Sequence, residues 1–329
     1  MTFSYGFTFD DIPDLEGKVA IVTGGNSGIG FVIARELARK KAKVYIAARS
    51  QSKAETAIAA IKEATGTDEN VSFLELDLES MKSATASARF FAKLESRLDI
   101  LIANAGVAGI RSELSPDGYE RIFAINHLGH FAFITALLPL LIQTADENPT
   151  SDVRVVLQSS RSYEMAKPLD LAKVSDVYTG TFGPFIGLDI LARYARSKLC
   201  NLYFALELAE LVKDIKNIYV NACHPGLIWT PIFSLADSPL PSYISVIAEW
   251  QAWLFGLPVN DGAKAALYCA TDKHVIENDT KGKFYYPFGG AFRYFYLYER
   301  DITKLGADVD ARKELWQFSE QALAKSLAS

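Results

Sequence analysis

A phenol and an ammonium, Tyr194 and Lys198 in the stretch ARYARSKLCN, stand four positions apart and share one face of any helix that carries them. Tyrosine is a poor base near neutrality, its ordinary pKa being ~10. A neighbouring ammonium favours the phenolate, so such a pair can hand a proton to a carbonyl oxygen or take one from an alcohol. Ser160, at the end of an apolar run, adds a hydroxyl able to hydrogen-bond a substrate oxygen where charge develops. Ser159 competes for that part, and spacing does not separate the two. YxxxK alone describes many plain surface pairs, so the pair needs a partner that it could serve.

That partner is implied by TGGNSGIG, which follows the apolar run Lys18–Val22 and precedes an amphipathic pattern from Phe31 to Lys41. Between a strand and a helix, Gly24 permits a tight turn, while Gly28 and Gly30 let backbone and helix approach a pyrophosphate. The helix N-terminus, with Asn26, Ser27 and Ile29 around it, offers unpaired N–H groups and the positive end of the helix dipole. No Lys follows the last glycine, which excludes a triphosphatase loop. Where the second strand ends, a dinucleotide fold places the group that reads the adenosine ribose. Here stand Ala48 and Arg49 rather than an acid, so the sequence predicts pairing with a 2′-phosphate and a preference for NADP(H) over NAD(H).

Short apolar runs alternate with helical periodicity through most of the chain. Strands are expected at Lys18–Val22, Lys43–Ala47, Val71–Leu76, Asp99–Ala103, Val153–Gln158, Ile218–Cys223 and Gly282–Tyr286, with helices at Phe31–Lys41, Lys53–Ala64, Ser80–Ser96, Tyr119–Leu141 and Leu188–Val212. Strands apolar on both faces, each followed by a helix, predict a parallel sheet covered on both sides: α/β, doubly wound, of about seven strands in a single domain. The division read from the sequence is an N-terminal extension (1–16), the dinucleotide-binding domain (17–287) and a C-terminal extension (288–329). Two loops, about 161–190 and 227–258, follow strand C-termini, where open α/β sheets bind ligands. The second is rich in Trp, Phe, Ile and Leu and suits an apolar small-molecule substrate.

Of the 329 residues, 50% are hydrophobic and 22% charged, with a net charge of −5; no basic patch suggests nucleic acid. Three widely spaced cysteines, Cys200, Cys223 and Cys269, offer no metal spacing and read as free thiols in a reducing compartment. His127 and His130 lack accompanying ligands, so packing or capping is expected of them and no metal. His224 is a candidate for substrate contact. The first residues lack the pattern of a signal peptide, and apolar stretches such as Phe131–Ile142 are shorter than a membrane span, so a cytosolic protein is expected.

Taken in order, TGGNSGIG, Asp77-Leu78, Asn104-Ala105-Gly106, Asn126, Ser160, YxxxK at Tyr194 and Lys198, and Pro225-Gly226 make the chain resemble the short-chain dehydrogenase/reductase family from about Gly17 to Ala270. The stretch INHLGHF and the Ala48-Arg49 ending resemble its retinol-dehydrogenase-like branch. The resemblance implies that Asp77 and Leu78 meet the adenine and that Asn104, Ala105 and Gly106 run along the cofactor. It also implies that Lys198 holds the nicotinamide ribose, that Asn126 holds a water linking Lys198 to solvent, and that Pro225, Gly226 and Thr230 flank the nicotinamide. Ala103 stands where the family more often has a second Asn. The function expected is NADP(H)-dependent interconversion of a ketone or aldehyde with an alcohol on a hydrophobic small molecule, with carbonyl reduction as one direction. A homo-oligomer is compatible with the family. A non-catalytic NADP(H)-binding sensor or scaffold, or a lyase or isomerase on the same scaffold, are the alternatives.

Overall fold

The computed structural model describes residues 3–4, 6–66, 70–110, 112–147, 152–177, 186–226, 228, 258–288 and 296–329. Nine strands form one sheet: β1 (Phe3–Ser4), β2 (Val19–Thr23), β3 (Lys43–Ala48), β4 (Val71–Glu75), β5 (Ile100–Ala103), β6 (Val153–Gln158), β7 (Ile218–Cys223), β8 (Phe284–Phe288) and β9 (Tyr296–Glu299). Their order is β1-β9-β8-β7-β6-β5-β2-β3-β4. From β4 to β8 across the sheet all neighbours are parallel, which is the expected doubly wound core. The other two strands extend it. β9 returns antiparallel on β8 and β1 pairs antiparallel with β9, so an N-terminal segment and one from the C-terminal region meet at this edge of the sheet.

The helices are α1 (Gly28–Arg39), α2 (Gln51–Thr65), α3 (Met81–Leu94), α4 (Arg121–Glu147), α5 (Ile186–Leu211), α6 (Val259–Thr271), α7 (Lys273–Glu277) and α8 (Val309–Ala328). Two apolar layers result. Val22, Ile33, Leu37, Ile46, Ala266 and Leu267 pack α1 and α6 onto one face, whereas Leu101, Phe131, Leu137, Val155, Leu199 and Phe204 pack α4 and α5 onto the other. α6 buries a face of small apolar residues from Ala263 to Ala270 and keeps Asn260, Asp261 and Lys264 toward the outside.

α4 merges the expected Tyr119–Leu141 pattern with a further turn into 27 residues, long and apolar enough to cross a membrane. It is a core helix instead, with 67% of its most apolar window buried. α8 completes its cover: the Trp316 ring meets Phe131 edge-on at 5.0 Å, and Ser319 Oγ lies 2.8 Å from His127 Nε2. Ser319 donates to the Leu315 carbonyl, so His127 is the donor in that pair. Burial pushes the His127 imidazole down to about 3, leaving it neutral and a packing residue, as expected.

Candidate active site

The sheet reverses its winding between β2 and β5, and their C-terminal ends open a crevice of about 760 Å³. Gly24, Asn26, Ser27, Gly28, Ile29, Gly30, Arg49, Asp77, Leu78, Asn104, Ala105 and Gly106 all line it. Gly24 turns the chain at φ +66°, where only glycine sits without strain. Gly30 is required for a different reason: a Cβ there would lie 2.3 Å from the Gly24 carbonyl oxygen and 2.5 Å from Asn104 Nδ2. α1 begins at Gly28, and the Ser27 hydroxyl at its cap makes no capping hydrogen bond. Asn104 Nδ2 donates to the Thr23 carbonyl at 2.9 Å and the Ala105 N–H donates to Thr23 Oγ1 at 2.9 Å, which stitches the two crevice walls together.

At the outer end Ala48 is buried and Arg49 exposed, its guanidinium 3.8 Å from Glu79. Glu79 is already held by Arg121, whose Nε lies 2.8 Å from Oε1, so this carboxylate reaches the crevice neutralised. Asp77 Oδ1 accepts from the Glu79 N–H at 3.0 Å, shaping the turn after β4, and Leu78 is buried beneath it.

Tyr194 and Lys198 stand on α5, with the Lys198 ammonium 5.6 Å from the centroid of the Tyr194 ring. Lys198 Nζ donates to the Gln158 carbonyl at 3.0 Å and lies 3.4 Å from where a Gly106 Cβ would be. The Ser160 hydroxyl lies beside the Tyr194 phenol, near enough to favour its ionised form. Ser159 is turned away and donates to the Lys198 carbonyl at 2.7 Å, so strand alternation separates two serines that spacing left equivalent. Asn126 sits in a π turn, Ala124–Leu128, within α4. Its amide pairs with Val107 both ways, at 2.8 and 2.9 Å, and donates to Ser197 Oγ at 2.9 Å. Ser197 in turn donates to the Tyr194 carbonyl at 2.8 Å. Asn126 therefore ties the loop after β5 to α5.

Burial dominates the electrostatics. It pushes the Tyr194 phenol up to about 12, opposed by the Ser160 hydroxyl, so the protein alone holds the neutral acid form. The sequence-based expectation of a phenol shifted toward neutrality is not met here, because burial of the phenol is the largest influence on it. Burial lowers Lys198 to about 8. Lys198 is cationic below that value and neutral above it, while Tyr194 keeps its proton across the same range. The pH profile of kcat/KM for carbonyl reduction should thus lose activity as pH rises through about 8, a limb belonging to Lys198. A flat profile from pH 7 to 9 would show that its charge is not needed.

Sequence reasoning missed what two residues do around the crevice, one buried behind its wall and one lining it. His130, expected to pack or cap, donates from Nδ1 to the Asn126 carbonyl at 3.1 Å and lies 3.0 Å by Nε2 from Thr23 Oγ1. Since a carbonyl only accepts, Nδ1 carries the proton and Nε2 accepts from Thr23. Burial lowers His130 to about 4, consistent with that neutral form. The signal was INHLGHF itself, which places His130 one turn after Asn126. Gln158, a polar residue closing an apolar strand, also lines the crevice. His224 is buried, accepts the Arg161 N–H at 3.3 Å and packs on Tyr286 at 4.7 Å.

Pro225 and Gly226 follow β7, with Gly226 at φ +93°. Thr230 and nearly all of the loop 227–258 lie outside the described residues. The described half of the other loop is anchored away from the crevice: the Tyr163 hydroxyl accepts the Thr303 N–H at 3.3 Å, and Glu164 pairs with Arg300 at 2.9 Å. All three cysteines are free and buried, and no metal-holding cluster occurs among the described residues.

The chain is similar to known proteins. The model of the short chain dehydrogenase family matches residues 18–161. An uncharacterized oxidoreductase of Schizosaccharomyces pombe is 36% identical over 85% of this chain and 79% of its own length. Mouse retinol dehydrogenase 14 is 30% identical, covering 93% and 86%. Among solved structures, an uncharacterized protein of Mycobacterium paratuberculosis superposes with a TM-score of 0.71 at 27% identity, covering 97% of this chain and 98% of that one. The chain belongs to the short-chain dehydrogenase/reductase family and is an oxidoreductase of alcohol and carbonyl groups.

Proposed function

We propose that this protein is an NADP(H)-dependent reductase that interconverts a ketone or aldehyde with an alcohol on a hydrophobic small molecule. The observation that carries the reading is the Lys198 ammonium set over the Tyr194 ring and tied to the crevice wall at Gln158, with the Ser160 hydroxyl beside the phenol. The crevice fits a dinucleotide: Gly30 has no room for a side chain, the Ser27 hydroxyl makes no capping bond at a helix N-terminus, and no carboxylate replaces Ala48 or Arg49. Residues Gly24 to Gly30 would hold the pyrophosphate, Arg49 the 2′-phosphate, Asp77 and Leu78 the adenine, and Asn104 to Gly106 with Lys198 the nicotinamide riboside. Pro225, Gly226 and Thr230 would flank the nicotinamide.

The bound cofactor supplies or accepts the hydride. Tyr194 delivers the proton to the carbonyl oxygen during reduction and recovers it during oxidation, while Ser160 hydrogen-bonds that oxygen as charge builds on it. Asn126 keeps α5 in register with the crevice through Ser197 and Val107. An apolar substrate is supported by the Trp229, Trp250 and Trp253 content of loop 227–258 and by the retinol dehydrogenase among the relatives. Three buried free thiols support a reducing compartment such as the cytosol.

The test is a panel of apolar ketones and aldehydes offered with NADPH and with NADH. Turnover favouring NADPH is expected; NADPH binding without turnover of any carbonyl would replace the reading by a sensor. Arg49→Ala should lower kcat/KM for NADPH by roughly 10- to 100-fold, the loss of one charge-assisted pair, and leave NADH nearly unchanged. Equal losses for both cofactors would remove Arg49 from phosphate recognition.

A further inference from the structure

We propose that the Gln158 carboxamide is a cofactor-binding group for the nicotinamide half, accepting a hydrogen bond from an N–H or O–H donor there. The inference rests on the NADP(H) reading and assigns a side chain that neither the glycine turn nor the Tyr194 group requires. Gln158 is 7% exposed, and its Oε1 is buried with no hydrogen-bond partner among the described residues. Buried polar atoms are nearly always paired, so an orphan on the wall of a ligand crevice points to a partner that arrives with the ligand.

Its place identifies which half of the ligand. The backbone carbonyl of Gln158 accepts from Lys198 Nζ at 3.0 Å and from Asn201 Nδ2 at 3.4 Å. Lys198 Nζ also borders Gly106, so Gln158 stands at the inner end of the crevice, with Arg49 and Glu79 at the other. Alternation along β6 supports this. Val155 and Leu157 enter the layer under α4 and α5, while Val156, and hence Gln158, face the layer that contains Ile29 of the glycine turn. One residue thereby serves two purposes: its backbone steadies Lys198 and its side chain offers an acceptor beside it. The donors available on that half of NADP(H) are the ribose hydroxyls and the carboxamide N–H.

Binding measured by fluorescence titration tests this without relying on turnover. For Gln158→Leu and Gln158→Met, NADPH should bind about tenfold more weakly, the worth of one hydrogen bond. Adenosine 2′,5′-bisphosphate, which lacks the nicotinamide half, should bind as to the wild type, and this also certifies the folded crevice. The ligand-free variants should melt no lower than wild type, because the orphaned acceptor has gone. The 3-acetylpyridine analogue of NADP⁺ has no carboxamide N–H. A tenfold effect of Gln158→Leu that persists with it assigns the ribose hydroxyl, and one that vanishes assigns the carboxamide. Unchanged NADPH affinity in both variants would overturn the inference, as would equal weakening for the bisphosphate. Wild-type protein that binds no NADPH would instead overturn the cofactor reading on which it rests.

Discussion

Tyr194→Phe should lower kcat for carbonyl reduction by roughly 10²- to 10⁴-fold while leaving NADPH affinity within about a factor of two. The change removes one oxygen and little else. The ring remains, so the Lys198 ammonium keeps its aromatic neighbour at 5.6 Å and its bond to the Gln158 carbonyl at 3.0 Å. Packing of α5 is likewise preserved, because Ala195 and Leu199 on either side are fully buried. What disappears is the acid beside Ser160, and with it about 3–5 kcal/mol of transition-state stabilisation. Single-turnover decay of bound NADPH measures the chemical step directly, and isothermal titration measures the cofactor. A Phe variant retaining more than a tenth of wild-type turnover would show that another donor protonates the carbonyl oxygen. Ser160 is the neighbour to suspect then, and Ser160→Ala in the Phe background would decide it.

The parts of this site that were legible in the sequence are those fixed by local spacing. The glycine turn declares itself because strand, turn and helix occupy one uninterrupted stretch, and the YxxxK pair because four residues make nearly one helical turn. Strand ends were read within about two residues where the run was apolar on both faces, as in Val153–Gln158 and Ile218–Cys223. What was hidden depends on distant pairing. β1 and β9 are held by register between Phe3–Ser4 and Leu297–Tyr298, almost the whole chain apart, and nothing near either segment announces the other. The tract containing β9 alternates aromatic and polar residues, as a strand with one face inward does, yet it could equally be read as packing surface.

The site shows the same limit. The π turn that carries Asn126 has no composition signature, since it is set by how α4 meets Val107 and Ser197. His130 looked inert because its value lies in two partners, the Thr23 hydroxyl and the Asn126 carbonyl, that only the folded chain brings within 3.1 Å. Through it the end of β2 and the turn of α4 share one directed chain of hydrogen bonds, from the Ala105 N–H to Thr23, and from His130 to Asn126. The expected pKa of Tyr194 failed for a related reason: helical spacing fixes that two side chains meet, not how deeply the fold buries them.

The largest effect on stability should come from a buried charge cluster one residue before Tyr194. Arg193 and Glu120 are both fully buried and meet at 2.8 Å, Asp189 holds Arg193 Nε at 3.0 Å, and Arg196 approaches Glu120 at 3.5 Å. Glu120 also accepts the N–H groups of Ile122 and Phe123, both at 3.0 Å, and so caps α4 at the end where Asn126 follows. Two cations and two carboxylates nearly balance. Glu120→Ala leaves Arg193 with Asp189 and Arg196 with the Lys173 carbonyl, removes the carboxylate that both share, and uncovers two helix N–H groups, at an expected cost of about 3–5 kcal/mol. Urea unfolding should show this as a lower midpoint with an unchanged slope. Because an ion pair in the interior offsets its own desolvation only weakly, Glu120→Leu combined with Arg193→Met should recover much of the loss. A loss below about 1 kcal/mol for Glu120→Ala would mean that water reaches the cluster. A double variant as unstable as the single would mean that the caps, rather than the charges, hold α4 against the catalytic helix.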